Sequence, residues 1–339
     1  MEVETEEDGL GPAFNGNSCS SCHAAPAVGG VTAMTEIRAG RREDNGSFTE
    51  LRGGTLFHLF SNPEHGCQVE IPREANVIAR RAPTPLFGAG LIEAIPDDII
   101  ASRADPNDTN RDGVRGRVSR VFDLAGKRER VGRFGWKAQQ ATLLAFAGDA
   151  YVNEMGITND LFPADSARGL TAAQLAACGS TGAIEDKKDE HGLRGIDHFE
   201  NFMKFLAPLP RGPVDQATQR GEALFESIGC SACHVPFLTT GPSNNPVFDR
   251  KPVPLYSDLL LHDVGTGDGI PQASAGPNEL RTAPLWGLRS RKPLMHDGMS
   301  STIDDAIRRH RREAGNAQQR YLSLSDDERN WLIAFLNSL

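Results

Sequence analysis

Two short stretches carry the most specific chemistry in this sequence: CSSCH at 19–23 and CSACH at 230–234. Two cysteines at this spacing can form thioethers to the two vinyl groups of one haem, and the histidine that follows is then held under the iron as an axial ligand. A zinc site would draw CxxC pairs together or add histidines nearby, whereas these motifs lie far apart and each brings its own histidine. A thioredoxin-like redox pair would open a helix after a strand, and neither flank shows that arrangement. The reading is two covalently bound haem c groups, one on Cys19, Cys22 and His23, the other on Cys230, Cys233 and His234.

Seven further histidines compete for the open face of each iron. His310 is singled out by helical geometry. In SSTIDDAIRRH, Ser301 or Thr302 reads as the N-cap, and Asp304 and Asp305 stand in the first turn. Ile303, Ala306, Ile307 and His310 then fall on one apolar stripe, with Arg308, Arg309, Arg311 and Arg312 on its flanks. The inward face of His310 suits a haem ligand, and the arginines would be available to haem propionates. His262 and His296 sit in turn-rich stretches suited to propionate bonding or loop shaping. His58 and His65 follow the first motif, whereas His191 and His198 have no recommending feature.

The elements that must position these groups read as mainly α. The segments 214–229 and 325–339 are helices before and after the second motif, the latter opened by a Ser325/Glu328 capping box. Residues 136–156 read as one long helix and 198–213 as a helix stopped by prolines, with a domain boundary there. The expected architecture is two cytochrome c-like domains, 1–210 and 211–339, each with one haem and long irregular loops.

The bulk numbers agree with that picture. Aromatic content of 6% is thin for 339 residues, and haem would supply the missing apolar bulk. A net charge of −9 without a basic stripe argues against nucleic acid. No run of apolar residues is long enough to span a membrane. Attachment of haem through thioethers takes place outside the bacterial cytoplasm, so the expected location is periplasmic. The polar N-terminus is not itself a signal peptide. That compartment permits disulfides, and Cys67 with Cys178 is the pair left over.

Taken together, GLGPAFNGNSCSSCH, RRAPTPLFGAGLIEAIPD, GRFGWKA, NEMGITN, IGCSACHVP, YSDLLLHDVG, RTAPLWGL and MHDG…IDDAIRRH are similar to the bacterial di-haem cytochrome c peroxidases and the di-haem enzyme of methylamine utilisation. The branch they look closest to is the di-haem oxidoreductases, also labelled thiol oxidoreductases. The resemblance covers almost the whole chain. It implies peroxide reduction at the N-terminal haem, with Glu154 of the EMG sequence as acid–base and Gln140 as an orienting donor. It also implies electron relay through Trp136 from a C-terminal haem whose sixth ligand is His310, where peroxidases use methionine. His65 falls near the family's displaceable histidine. Calcium between the haems is a candidate cofactor, although Arg81 replaces the family's asparagine, and DTNRDG (108–113) resembles half of a calcium loop without its distal glutamate.

The expected activity is therefore H2O2 reduction by a di-haem oxidoreductase, with electrons from a small redox protein such as a cytochrome c or cupredoxin. The rival readings are a peroxide-dependent oxidase of a partner protein and a non-enzymatic di-haem electron carrier.

Overall fold

The computed structural model describes residues 3, 5, 9–61, 67, 70–164, 170–177 and 188–339. The C-terminal part is built around two packed helices, Gln216–Ser227 and Asp326–Ser338. Both open with reciprocal capping boxes, Asp215 with Thr218 and Ser325 with Glu328, so their first turns do not leave amide donors unanswered. Their apolar faces bury Phe225, Leu332, Phe335 and Leu336. Gly221 permits the close approach, since a Cβ there would stand 2.0 Å from the Trp331 carbonyl oxygen. Gly229, with φ of +93°, ends the first helix and turns the chain into the short 3₁₀ segment Cys230–Ala232.

The larger core joins segments from either side of position 210. Ile92, Leu143, Tyr151 and Met203 pack in one cluster with Val253, Leu255, Leu260 and Trp286. Helix Gly195–Phe205 lies against helix Leu143–Ala150, which widens into a π-turn at Tyr151–Met155 and stops at the left-handed Gly156.

The expectation of a mainly α chain does not hold, because 29% of the structure is helical and 16% is strand. Strand Glu36–Arg42 pairs antiparallel with Phe48–Thr49, Leu56–Phe57 and Val77–Arg81. Strands Ser119–Asp123 and Arg128–Gly132 form a hairpin. The alternation is present in SRVFD, whose residues are buried and exposed in turn. In EIRAGRR it is hidden by arginines that are themselves buried or ion-paired.

The long helix expected over 136–156 is confined to Leu143–Ala150, with Thr142 as its N-cap. Its expected first turns instead form a loop, because the side chains there are claimed by distant carbonyls. Trp136 Nε1 donates to Ala82 O (2.7 Å), Lys137 Nζ donates to three backbone carbonyls, and Ala138 adopts φ of +48°. Among the described residues no helix is long and apolar enough to cross a membrane.

Phe335 is fully buried and meets the rings of Phe225 and Tyr256. Phe335→Ala is expected to destabilise the fold by about 3–5 kcal/mol, from lost burial and the cavity left behind. Denaturant unfolding of the variant and the wild type measures this.

Candidate functional site

Two cavities contain the CxxCH motifs. The C-terminal cavity, about 550 Å³, is lined by Cys230, Cys233, His234 and His310, and falls within the usual size of small-molecule and cofactor sites. Its two histidines are oriented in the same way. His234 Nδ1 lies 2.9 Å from Tyr256 O, and His310 Nδ1 lies 2.8 Å from Ala306 O. A carbonyl oxygen can only accept, so in each ring Nδ1 carries the proton and Nε2 keeps its lone pair. Burial keeps both imidazoles neutral at pH 7, lowering His234 to about 4 and His310 below its ordinary value.

Each orientation has a local cause. Tyr256 is held at φ of +51° by its ring contacts with Phe225 and Phe335 and by its hydroxyl's bond to Glu222, which aims its carbonyl at His234. Helix Ile303–Arg308 is capped by Thr302 and ends just before His310, whose amide still donates to Ile307 O (3.0 Å).

The arginines beside His310 are mostly engaged. Arg308 pairs with Asp304 (2.7 Å), Arg309 with Asp297 (2.5 Å) and Arg312 with Asp263 (2.8 Å). His262 lies between Asp258 (2.8 Å) and Glu313 (2.9 Å) on the same cavity wall. Burial opposes its charge, but the bonds to Asp258, Cys233 and Glu313 outweigh burial and hold it as imidazolium. It is thus committed to carboxylates.

The N-terminal cavity is narrower, about 170 Å³, and is lined by Cys19, Cys22, His23 and Glu154. His23 Nδ1 lies 2.9 Å from Gly30 O, which again leaves Nε2 free, and burial lowers its pKa. Burial also pushes the Cys22 and Cys230 thiols up to about 12. Both therefore stay protonated at neutral pH.

Glu154 sits in the π-turn, and the segment before the first motif is tied to that turn. Gly11 N donates to Met155 O (2.9 Å) and Asn15 N to Glu154 O (2.7 Å). The Asn15 carboxamide is itself fixed. Its Oδ1 accepts from Leu59 N (3.0 Å), so its Nδ2 donates to Glu154 Oε2 (2.8 Å).

Burial first, and then the charge of Glu36, raise the Glu154 carboxyl to about 8. Burial disfavours the charge of Glu36 as well, but the two-pronged bond from Arg38 (2.7 and 3.1 Å) keeps it ionised. Glu36 and Arg38 line this cavity and were missed by sequence reasoning. Their signal was the i, i+2 spacing on one face of a strand. Gln139, not Gln140, lines the cavity. Gln140 is instead paired through its backbone with Phe134.

Trp136 belongs to the wall of both cavities. Besides its bond to Ala82, the Arg291 guanidinium lies 5.2 Å from its ring centre and the His296 ring meets it edge-on at 6.1 Å. Trp286 packs in the main core. Arg81 is bound to Asp268 (2.6 Å), which also takes Lys137 (3.1 Å). In the 105–113 loop, Asp105 and Asp108 accept from the loop's own amides. Cys67 is buried, whereas His65 and Cys178 lie outside the described residues.

The donor set fits haem in both cavities: a cysteine pair, an adjacent histidine with a free Nε2, and a surrounding wall that is largely apolar in the larger one. A family model described as "Di-haem oxidoreductase, putative peroxidase" matches residues 66–339, beginning after the first CxxCH. No curated protein matches the chain.

Among solved structures there are loose likenesses. The diheme peroxidase BthA from Burkholderia thailandensis E264 is 16% identical with a TM-score of 0.43, covering 98% of this chain and 84% of that one. A hydrazine synthase from Kuenenia stuttgartiensis is 15% identical with a TM-score of 0.41, covering 100% and 89%. A MauG-like protein associated with microbial copper homeostasis is 16% identical with a TM-score of 0.39, covering 76% and 90%.

The raised carboxyl of Glu154 has a thermodynamic consequence. A carboxyl protonated more readily when folded than when unfolded favours folding at low pH, and that contribution is lost as pH rises from 4.5 toward about 8. Glu154→Gln removes the penalty. Its denaturant midpoint is expected to exceed that of the wild type above about pH 8, with the gap closing near pH 4.5. A gap that does not change with pH would show that the carboxyl is not held neutral.

Proposed function

The chain belongs to the di-haem oxidoreductase family, and we propose that it is a peroxidase-like enzyme reducing H2O2 in its N-terminal cavity. The observation that carries this reading is Glu154. It is a buried carboxyl, protonated around neutral pH, in the same cavity as Cys19, Cys22 and His23.

In this reading Cys19 and Cys22 hold one haem and Cys230 and Cys233 the other, through thioethers. His23 and His234 would each bind an iron through the free Nε2, and His310 would be a further iron ligand at the C-terminal site. Bound haem supplies one-electron redox chemistry and an iron at which peroxide reacts. The chain's own residues do the rest.

Glu154 Oε2 is occupied by Asn15, which leaves Oε1 to carry the proton. From there it can give the proton to the departing oxygen of peroxide and later regain one, the role of a general acid–base. Burial and, after it, Glu36, kept ionised by Arg38, maintain the raised pKa of Glu154. Gln139 is the glutamine placed to orient a ligand in this cavity. Trp136 offers a path between the cavities for electrons delivered by a small redox protein, such as a cytochrome c or cupredoxin. Reduction of one H2O2 to two waters consumes two electrons and two protons. Thioether attachment makes the periplasm the proposed location, with 1–210 and 211–339 as the two cytochrome-like units.

Glu154→Gln is expected to lower peroxide turnover with reduced cytochrome c by roughly 10²–10⁴-fold. An alkaline pyridine spectrum should still count two haems in the variant. Turnover at the wild-type rate would sink the acid–base assignment.

His310→Met should raise the potential of the C-terminal haem, because a thioether ligand raises it relative to imidazole. A redox titration reads this, and an unchanged potential would mean that His310 does not bind iron.

A further inference from the structure

We propose that Arg281 and Arg291 form the cradle for the two propionate carboxylates of the haem in the C-terminal cavity. The proposal rests on the reading of that cavity as a haem site.

It begins from an imbalance of charge. A buried guanidinium without an opposite charge is costly, and folded proteins ordinarily answer it with a carboxylate. Elsewhere in this protein they do. Arg38 is bound to Glu36, Arg81 to Asp268 and Arg133 to Asp97. Arg281 and Arg291 are 6% and 7% exposed, and among the described residues no carboxylate stands within ion-pair distance of either.

Among the described residues Arg281 donates only to neutral carbonyls, Nε to Gly135 O (2.9 Å) and NH1 to Thr282 O (3.1 Å). Arg291 lies against the face of Trp136. Burial lowers both guanidiniums to about 10; for Arg291 it is the sole cause, and for Arg281 the charge of Arg291 adds to it while Asp258, itself bonded to His262 (2.8 Å), opposes it without forming an ion pair. Both side chains line the cavity that holds Cys230, Cys233, His234 and His310.

Other charged groups on that wall do not resolve the imbalance. Glu313 is taken by His262 and by the amides of Asp263 and Arg115. Asp112 accepts from Asn110 and the Val114 amide. Arg111 and Arg320 are exposed. The buried Nδ1 of His296, also on this wall, has no hydrogen-bond partner among the described residues.

What is missing is an anion of two charges, delivered from inside the cavity. A haem carries two propionates, and the planar fork of arginine matches a carboxylate with two parallel bonds. The arginines around His310, by contrast, are mostly spent on Asp304, Asp297 and Asp263.

The test uses holoprotein: wild type, Arg281→Gln, Arg291→Gln and Arg291→Lys. The C-terminal haem potential is followed by spectroelectrochemistry from about pH 5 to pH 8. Two facing cations keep the propionates ionised, so the wild-type potential should be flat across this range. Each glutamine variant should gain a segment in which the potential falls as pH rises through a propionate pKa, and lysine at 291 should restore the flat profile. Superimposable profiles in all four proteins overturn the proposal.

If a glutamine variant fails to accumulate, redox-difference infrared spectra of the wild type decide. A protonated propionate band at pH 5 overturns the cradle, and its absence supports it. A wild-type protein with no haem on Cys230 and Cys233 would instead overturn the haem reading itself, which the pyridine assay detects separately.

Discussion

The bond from an imidazole Nδ1 to a backbone carbonyl is the constraint on which the two sites depend. His23, His234 and His310 all make it, to Gly30, Tyr256 and Ala306. It fixes the tautomer, stops the ring from turning and leaves one nitrogen lone pair directed at a cavity. Each carbonyl is placed by different means: a tight loop after the first motif, a residue in left-handed conformation, and the last turn of a capped helix. Three unrelated pieces of backbone thus arrive at the same chemical result, which three buried histidines serving only as packing would not require.

Around that framework the two cavities differ in charge. The N-terminal wall carries three carboxyls, Glu36, Asp149 and Glu154, against two guanidiniums, Arg38 and Arg81, with Arg38 bound to Glu36. Glu36 is compensated by its guanidinium, whereas burial and the charge of Glu36 drive Glu154 toward its neutral form. The C-terminal wall has the opposite surplus, with Arg281 and Arg291 buried and in no ion pair among the described residues. Under the proposed reading, this asymmetry gives one site a proton to donate and the other a fixed positive field. Trp136 stands between them with a guanidinium on its face.

Much of this was legible in the sequence where one residue type at one spacing has few chemical meanings. The CxxCH motifs identify two groups that the structure sets in cavities, and the apolar stripe ending at His310 leads to the C-terminal cavity even though the helix itself stops two residues earlier. Glu154 and Trp136 were named from resemblance and both line cavities. Gln139 rather than Gln140 lines the cavity, in a loop where Ala138 takes a left-handed conformation in place of the expected helix. The strands were missed because Arg38 and Arg81 are buried, and alternation is hard to see when charged residues occupy the inner face. Arg281 and Arg291 could not be recognised at all, since what sets them apart is burial without an ion pair among the described residues.

The anchoring of the Trp136 loop has a kinetic meaning. The indole N–H is bonded to Ala82, and the neighbouring Lys137 is held by Asp268 and by the carbonyls of Gly276, Pro277 and Glu279. The partition between the cavities is therefore tied to the chain on both sides and has little room to slide. Under the proposed reading, the tunnelling distance between the two cofactors is a constant of the fold. Control over the rate then falls to driving force, set by the ligands and fields at each iron, rather than to any change in spacing.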